Sequence, residues 1–225
     1  MSKAILIPIK EPARVKTRLS GLLTLAERQQ LVWAMFTDVC HAVANMTKAD
    51  AVFIVTSFAK AIDYAHILGF EVLTESEQQS ESASVDWASQ QLRERGFDAV
   101  MRLPADVPLV QAEDIDSLLD VDLPTPAALL VPSLEGTGTN AIIRTPADLF
   151  PSHFGPGSLS LHKEEAQQVG AECFIVTNER IALDIDEPPD ITIFLQYRQN
   201  TATFRLLEEM QIATRLNDFL QAVRP

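Results

Sequence analysis

Short apolar runs and longer amphipathic stretches take turns along the first 110 residues, and this alternation constrains the fold more than any other property of the 225-residue chain. Ala4–Ile9 is almost continuously apolar, as a strand buried on both faces of a parallel sheet must be. After a polar loop, Thr24 and Glu27 stand at capping-box spacing, and Leu31, Met35, Val39, Ala42 and Met46 recur at three- or four-residue steps, which predicts a long helix. Ala51–Val55 then reads as a strand, Lys60–Leu68 as a helix, Phe70–Leu73 as a third strand, and Val85–Arg95 as a helix ended by Gly96. A fourth strand, Ala99–Leu103, runs into Pro104-Ala105-Asp106-Val107-Pro108. Repeated βα units imply right-handed crossovers and a doubly wound α/β fold: a mostly parallel central sheet, helices on both faces, and ligands outside the carboxyl ends of the strands. The loops at residues 10–20 and 104–110 therefore matter most.

Beyond residue 110 the pattern loosens. A helix near Asp114–Leu119 precedes the strand-like Ala127–Val131 and Asn140–Ile143, with Glu135-Gly136-Thr137-Gly138-Thr139 between them. Phe154-Gly155-Pro156-Gly157-Ser158 leads into a helix over Leu159–Val169. Two further strands are expected at Cys173–Val176 and Ile181–Ile185, then Pro188-Pro189 and a helix from about Asp190, and Ala202–Val223 reads as helical. With no linker, low-complexity tract or repeat, one domain spanning residues 1–225 is the economical organisation.

A formal net charge of -13 excludes a protein that coats nucleic acid, which needs a broad Lys/Arg surface. The charge is uneven: Lys3, Lys10, Arg14, Lys16 and Arg18 face a single acid, Glu11, in the first 18 residues, whereas acids dominate the remainder. Such a basic island suits one local anionic ligand, although it also fits an ordinary decorated surface loop. Cys40 and Cys173 form no CxxC or Cys/His cluster, so neither a disulfide framework nor a structural zinc is expected. The start, MSKAILIPI, lacks the pattern of a signal peptide, and no apolar run approaches membrane-spanning length; a cytoplasmic protein without membrane contact is expected.

Several clusters could carry chemistry. The loop Lys10-Glu11-Pro12-Ala13-Arg14-Val15-Lys16-Thr17-Arg18 could close over a triphosphate, but it contains neither a P-loop nor a GxGxxG fingerprint. Asp106, between two prolines at a strand end, is either an Asx-turn residue or a hard oxygen ligand for magnesium. Leu183-Asp184-Ile185-Asp186-Glu187-Pro188 offers a second carboxylate pair, Asp184 and Asp186, which strand alternation would place on one face; Asp186 could also simply cap the next helix. Gly155-Pro156-Gly157-Ser158 at a helix start is a candidate anion cradle, to which Thr139 and Asn140 could add donors. None of His41, His66, His153 and His162 has metal-ligand or triad spacing, and no GxSxG is present.

Taken in order, ILIPIK, VKTRLS, LPADVPLV, GTGTNA, FGPGS and LDIDEP resemble the 2-phospho-L-lactate guanylyltransferase family of coenzyme F420 biosynthesis, over about residues 3–195. The resemblance implies a nucleotidyltransferase-type Rossmann-like fold, GTP as donor, Mg²⁺ as cofactor, and 2-phospholactate, phosphoenolpyruvate or 3-phosphoglycerate as acceptor. It further implies that Asp106 and Asp184 or Asp186 bind metal, and that Thr139 or Asn140, Gly155 and Ser158 hold the acceptor. Pro8, Lys10, Lys16 and Arg18 would then lie beside the nucleotide, with Lys16, Arg18 and Asp106 serving catalysis. One departure stands out: where the family has a Gly-Leu-Asn-like turn after the third strand, this chain reads Ser80-Glu81-Ser82-Ala83-Ser84-Val85-Asp86. The alternatives are a nucleotidyltransferase for a sugar, polyol phosphate or molybdopterin-type acceptor, and a non-catalytic nucleotide-binding module. A homodimer is one assembly such a chain could form.

Overall fold

A computed structural model describes residues 1–12, 15–75 and 80–222. The chain order is β1 (Lys3–Pro8), α1 (Leu25–Ala44), β2 (Ala51–Val55), α2 (Ala59–Ile67), β3 (Glu71–Leu73), α3 (Glu81–Glu94), β4 (Ala99–Arg102), α4 (Ala112–Leu119), β5 (Ala127–Pro132) and β6 (Thr139–Thr145). It continues through α5 (Ser158–Gln168), β7 (Glu172–Ile175), α6 (Glu179–Ala182), α7 (Pro188–Phe194), α8 (Ala202–Glu209) and α9 (Ile212–Ala222).

The strands form one sheet in the order β3-β2-β1-β4-β6-β5-β7. Only β6 runs antiparallel to its neighbours, β4 and β5. The near-continuous apolar character of β1 follows from its place between β2 and β4. Ile5 and Ile7 face a core shared with α1, α2 and α4, whereas Ala4 and Leu6 face α3. Alternation along one strand thus feeds two helical layers. Thr24 caps α1 in the reciprocal capping box with Glu27 that its spacing predicts. Among the described residues no helix is long and apolar enough to cross a membrane.

One expectation is corrected. Ile181–Ile185 is not a strand. The Asn178 side chain accepts from the amides of Arg180 and Ile181, starting the short helix α6, after which the chain leaves the sheet in an extended conformation. Leu183 and Ile185 turn into an apolar cluster with Leu31 and Met35 of α1, Ile191 and Phe194 of α7, Leu207 of α8 and Leu216 of α9. The apolar alternation is real, but its partners are helices. The C-terminal segment, read as helical, is helical in two pieces over its described residues: α8 ends at Glu209, and Gln211 adopts φ 53°, a left-handed value that an α-helix cannot contain.

Asp38 of α1 accepts the Ala202 and Thr203 amides at 2.7 and 2.8 Å, clamping the start of α8. Arg215 of α9 reaches back to Glu27 at 2.6 Å. That hydrogen bond, working against partial burial, holds the Glu27 carboxyl down to about 2. Because the folded value lies below the unfolded one, the pair's contribution is fully present above the ordinary value of 4.5 and is lost as pH falls toward 2. Glu27→Gln is expected to lower the unfolding free energy at neutral pH by about 0.5–1 kcal/mol. In urea titrations the difference from wild type should shrink from about pH 5 and close only near about pH 2; a difference that stayed constant across that range would deny the pair its role.

Candidate active site

Because β1 and β4 are adjacent while the chain departs from them toward opposite edges of the sheet, the loops that follow them meet over a crevice. From the first loop comes Lys16, left-handed at φ 46° just before a 3-10 turn at Thr17–Leu19. Its side chain is only 10% exposed, and the ammonium pairs with Asp106 at 2.5 Å and with Asp186. The second loop supplies Asp106, whose carbonyl accepts the Ile185 amide at 3.2 Å. That backbone bond, together with burial of Leu183 and Ile185, aims Asp184 and Asp186 at Asp106. The three carboxylates present oxygens within 4.8 Å of one another. Such a hard-oxygen donor set fits a divalent cation of the magnesium type.

The cluster is electrostatically divided. Burial works against ionisation of both Lys16 and Asp106, yet their pairing prevails: the ammonium is held above its ordinary value and the Asp106 carboxyl below its own. Asp184 goes the other way, pushed up to about 6 by burial and by the neighbouring Asp106 charge.

Facing the carboxylates is a wall that exists because β6 is reversed. An antiparallel strand begins at the edge where its parallel neighbours end, so Thr139 and Asn140 open β6 beside Pro104 and Asp106. Thr139 and Asn140 play different parts. The Asn140 amide donates to the carbonyls of Ile181 and Ala182 at 2.9 and 2.8 Å and to Asp184 at 3.0 Å, so it anchors the acidic segment. Thr139 instead belongs to the cradle: its backbone N–H donates to the Ser158 hydroxyl at 2.8 Å. Gly155 and Gly157 adopt φ of 125° and 74°, backbone conformations that favour glycine and turn the chain into α5 at Ser158.

Thr139, Asn140, Gly155, Ser158, Asp106, Asp184, Asp186 and Arg18 all line one cleft of about 300 Å³. Arg18 is largely exposed and pairs with Glu187 at 2.9 Å. Pro8 ends β1, and neither it nor Lys10 is among the residues lining this cleft. Arg14 lies outside the described residues. Asp186 does not cap α7, which is capped by Glu187 in a reciprocal arrangement with Asp190. A larger, more open hollow of about 890 Å³ lies between α1 and α8, walled by Ile9, Trp33, Phe58 and Leu206. It lacks the carboxylate cluster, and the chemistry is concentrated in the smaller cleft.

The segment at Ser80–Asp86 also touches the site. Glu81 lines the cleft and pairs with Arg102, whose guanidinium donates to the Asn140 carbonyl at 2.7 Å and lies over the Phe154 ring at 4.1 Å. Ser82 accepts the Phe154 amide at 2.9 Å, and Asp86 accepts both the amide and the hydroxyl of Ser152. Glu81 belongs to the segment that the sequence marks as a departure, whereas no motif points to Arg102. The available signal was an arginine inside an otherwise apolar strand directly ahead of Pro104-Ala105-Asp106.

Residues 3–221 match the family described as "Guanylyl transferase CofC like". The phosphoenolpyruvate guanylyltransferase of Rubrobacter xylanophilus is 30% identical over 207 residues, covering 90% of this chain and 100% of that protein. The 3-phospho-D-glycerate guanylyltransferase of Colwellia psychrerythraea is 30% identical, covering 86% and 91%, and the 2-phospho-L-lactate guanylyltransferase of Methanothermobacter thermautotrophicus is 26% identical, covering 96% and 94%. Among solved structures, a Desulfovibrio desulfuricans protein described as a nucleotide-diphospho-sugar transferase superposes with TM-score 0.78 at 19% identity, covering 97% of this chain and 99% of that one. A cytidylyltransferase from Leptospira borgpetersenii superposes with TM-score 0.61 at 14% identity, covering 100% and 99%. These two likenesses bear on the fold alone, that of a nucleotidyltransferase. With nearly its whole length matched, the chain belongs to the CofC-like guanylyltransferase family and is a nucleotidyltransferase.

Proposed function

We propose that this enzyme transfers the guanylyl group of GTP to the phosphate of a small phosphorylated three-carbon acid, releasing diphosphate, as a step of coenzyme F420 biosynthesis. The observation that carries the reading is the opposition, across one cleft, of the Asp106/Asp184/Asp186 cluster with Lys16 and the Thr139/Gly155/Ser158 cradle. The named relatives act on phosphoenolpyruvate, 3-phospho-D-glycerate or 2-phospho-L-lactate, all of which combine a phosphate and a carboxylate on three carbons. A cleft of about 300 Å³ is on the scale of such an acid.

In this reaction an acceptor phosphate oxygen forms a bond to the α-phosphorus of GTP, and the bond from that phosphorus to the oxygen bridging to the β-phosphate breaks. The acceptor's second pKa of about 6 leaves it largely dianionic at neutral pH, so no general base is required. Among the described residues no histidine joins the carboxylate cluster, which suits this chemistry. The protein's task is alignment and charge neutralisation. On this reading Lys16, held by Asp106 and Asp186, and Arg18, paired with Glu187, would draw negative charge as diphosphate departs, and Thr139 and Ser158 would offer hydroxyls to the acceptor. Asp106, Asp184 and Asp186 would hold Mg²⁺, which when bound supplies charge neutralisation on the phosphate oxygens.

Purified enzyme given GTP, Mg²⁺ and each of the three acids in turn is expected to release diphosphate with at least one. Silence with all three, alongside turnover of CTP or ATP with a sugar phosphate, would overturn the assignment. Asp106→Asn is expected to lower turnover by on the order of 10²–10³-fold while the far-ultraviolet circular dichroism is unchanged; near-normal turnover would return Asp106 to a purely structural part.

A further inference from the structure

His162 sits on α5, one turn beyond Ser158, and is fully buried. Its ring contacts Phe154 edge-on at 5.4 Å and lies 6.2 Å from Phe150. Two hydrogen bonds fix its chemistry. Its Nε2 lies 2.9 Å from the backbone nitrogen of His153 and its Nδ1 lies 3.0 Å from the Thr139 hydroxyl. A backbone N–H can only donate, so Nε2 carries a lone pair rather than a proton. Burial, reinforced by the charge of Arg144, pushes the imidazole down to about 3, so the ring is neutral at working pH. Its single proton is therefore on Nδ1 and is donated to Thr139.

The consequence passes to the cleft. A hydroxyl that accepts from a histidine keeps its own proton to give away. Among the described residues, the Thr139 hydroxyl has no other hydrogen-bond partner. The same logic applies to Ser158, whose oxygen accepts the Thr139 backbone N–H, another group that can only donate. Both residues line the cleft. Each hydroxyl oxygen thus accepts from the protein and keeps its own proton to donate.

We propose that His162 is a positioning residue: it sets the Thr139 hydroxyl, beside that of Ser158, as a one-way hydrogen-bond donor to an oxyanion of the acceptor substrate. This deepens the guanylyltransferase reading and rests on it for the identity of the anion. The arrangement favours a carboxylate or phosphate oxygen, which only accepts, over an amide nitrogen or another group that must donate. It also links the Gly155 turn to the cradle, because the same imidazole holds the His153 amide two residues earlier. No sequence motif joins the two, since Thr139 and His162 are 23 positions apart on a strand and a helix.

The tautomer is read directly by ¹⁵N NMR of the imidazoles in the wild-type enzyme at neutral pH. His162 is expected to be neutral with its proton on Nδ1; a proton on Nε2, or an imidazolium, would overturn the proposal. The kinetic arm compares His162→Leu, Thr139→Val, the double variant and His162→Gln. His162→Leu is expected to raise the acceptor KM roughly 10- to 100-fold, the value of one hydrogen bond to a charged group, with the KM for GTP unchanged. That rise should vanish in the Thr139→Val background, and His162→Gln, which retains a donor and an acceptor, should recover most of it. An equal rise with Thr139→Val already present, or a parallel rise in the KM for GTP, would overturn the positioning role. If wild-type enzyme turned over none of the acids, the functional reading would fail, while the NMR result would still decide the hydroxyl orientation.

Discussion

The site depends on one ammonium among three carboxylates. Asp106, Asp184 and Asp186 come from two segments nearly eighty residues apart and would repel one another in a partly buried cleft. Lys16, paired with two of them, offsets that repulsion and fixes the N-terminal loop against the strand-end loops. Fold and chemistry meet at this contact. The loop that would neutralise a triphosphate is held in place by the acids that would bind the metal, so the two halves of the site are assembled together.

The second determinant is the reversal of β6. In an all-parallel sheet the strand beside β4 would end, not begin, at the active edge. Running it backwards delivers Thr139 and Asn140 there and lets one strand serve both sides of the cleft. Asn140 grips the acidic segment, and Thr139, one residue before it, is bonded to Ser158 at the start of α5. Neighbouring residues on a strand point to opposite faces, which is how adjacent positions serve different walls.

Much of this was legible in the sequence. The apolar runs located β1, β2, β4 and β5 because strands buried on both faces leave little room for polar residues. The switch point then singled out the two loops that bring Lys16 to Asp106. Legibility failed where a local pattern has two solutions. Ile181–Ile185 alternates as a strand does, yet Leu183 and Ile185 are buried by α7, α8 and α9, and periodicity reports burial without naming the partner. The break at Gln211 carries neither glycine nor proline to announce it. Arg102 and His162 act through partners remote in sequence, Glu81 and Thr139, and no spacing rule reaches across a fold.

The residues at the start of α3 have a consequence for protein engineering. Ser82 and Asp86 fasten the chain at Ser152 and Phe154, just ahead of the Gly155 turn, and Glu81 neutralises the arginine beneath Phe154. The glycine-rich turn and the first turn of α3 therefore form one interlocked unit drawn from two distant parts of the chain. A chimera that imports a relative's helix start while keeping this turn would take from Arg102 and from the Ser152 and Phe154 amides the partners they have here. Segment exchange between members of this family should therefore transplant the two as a pair.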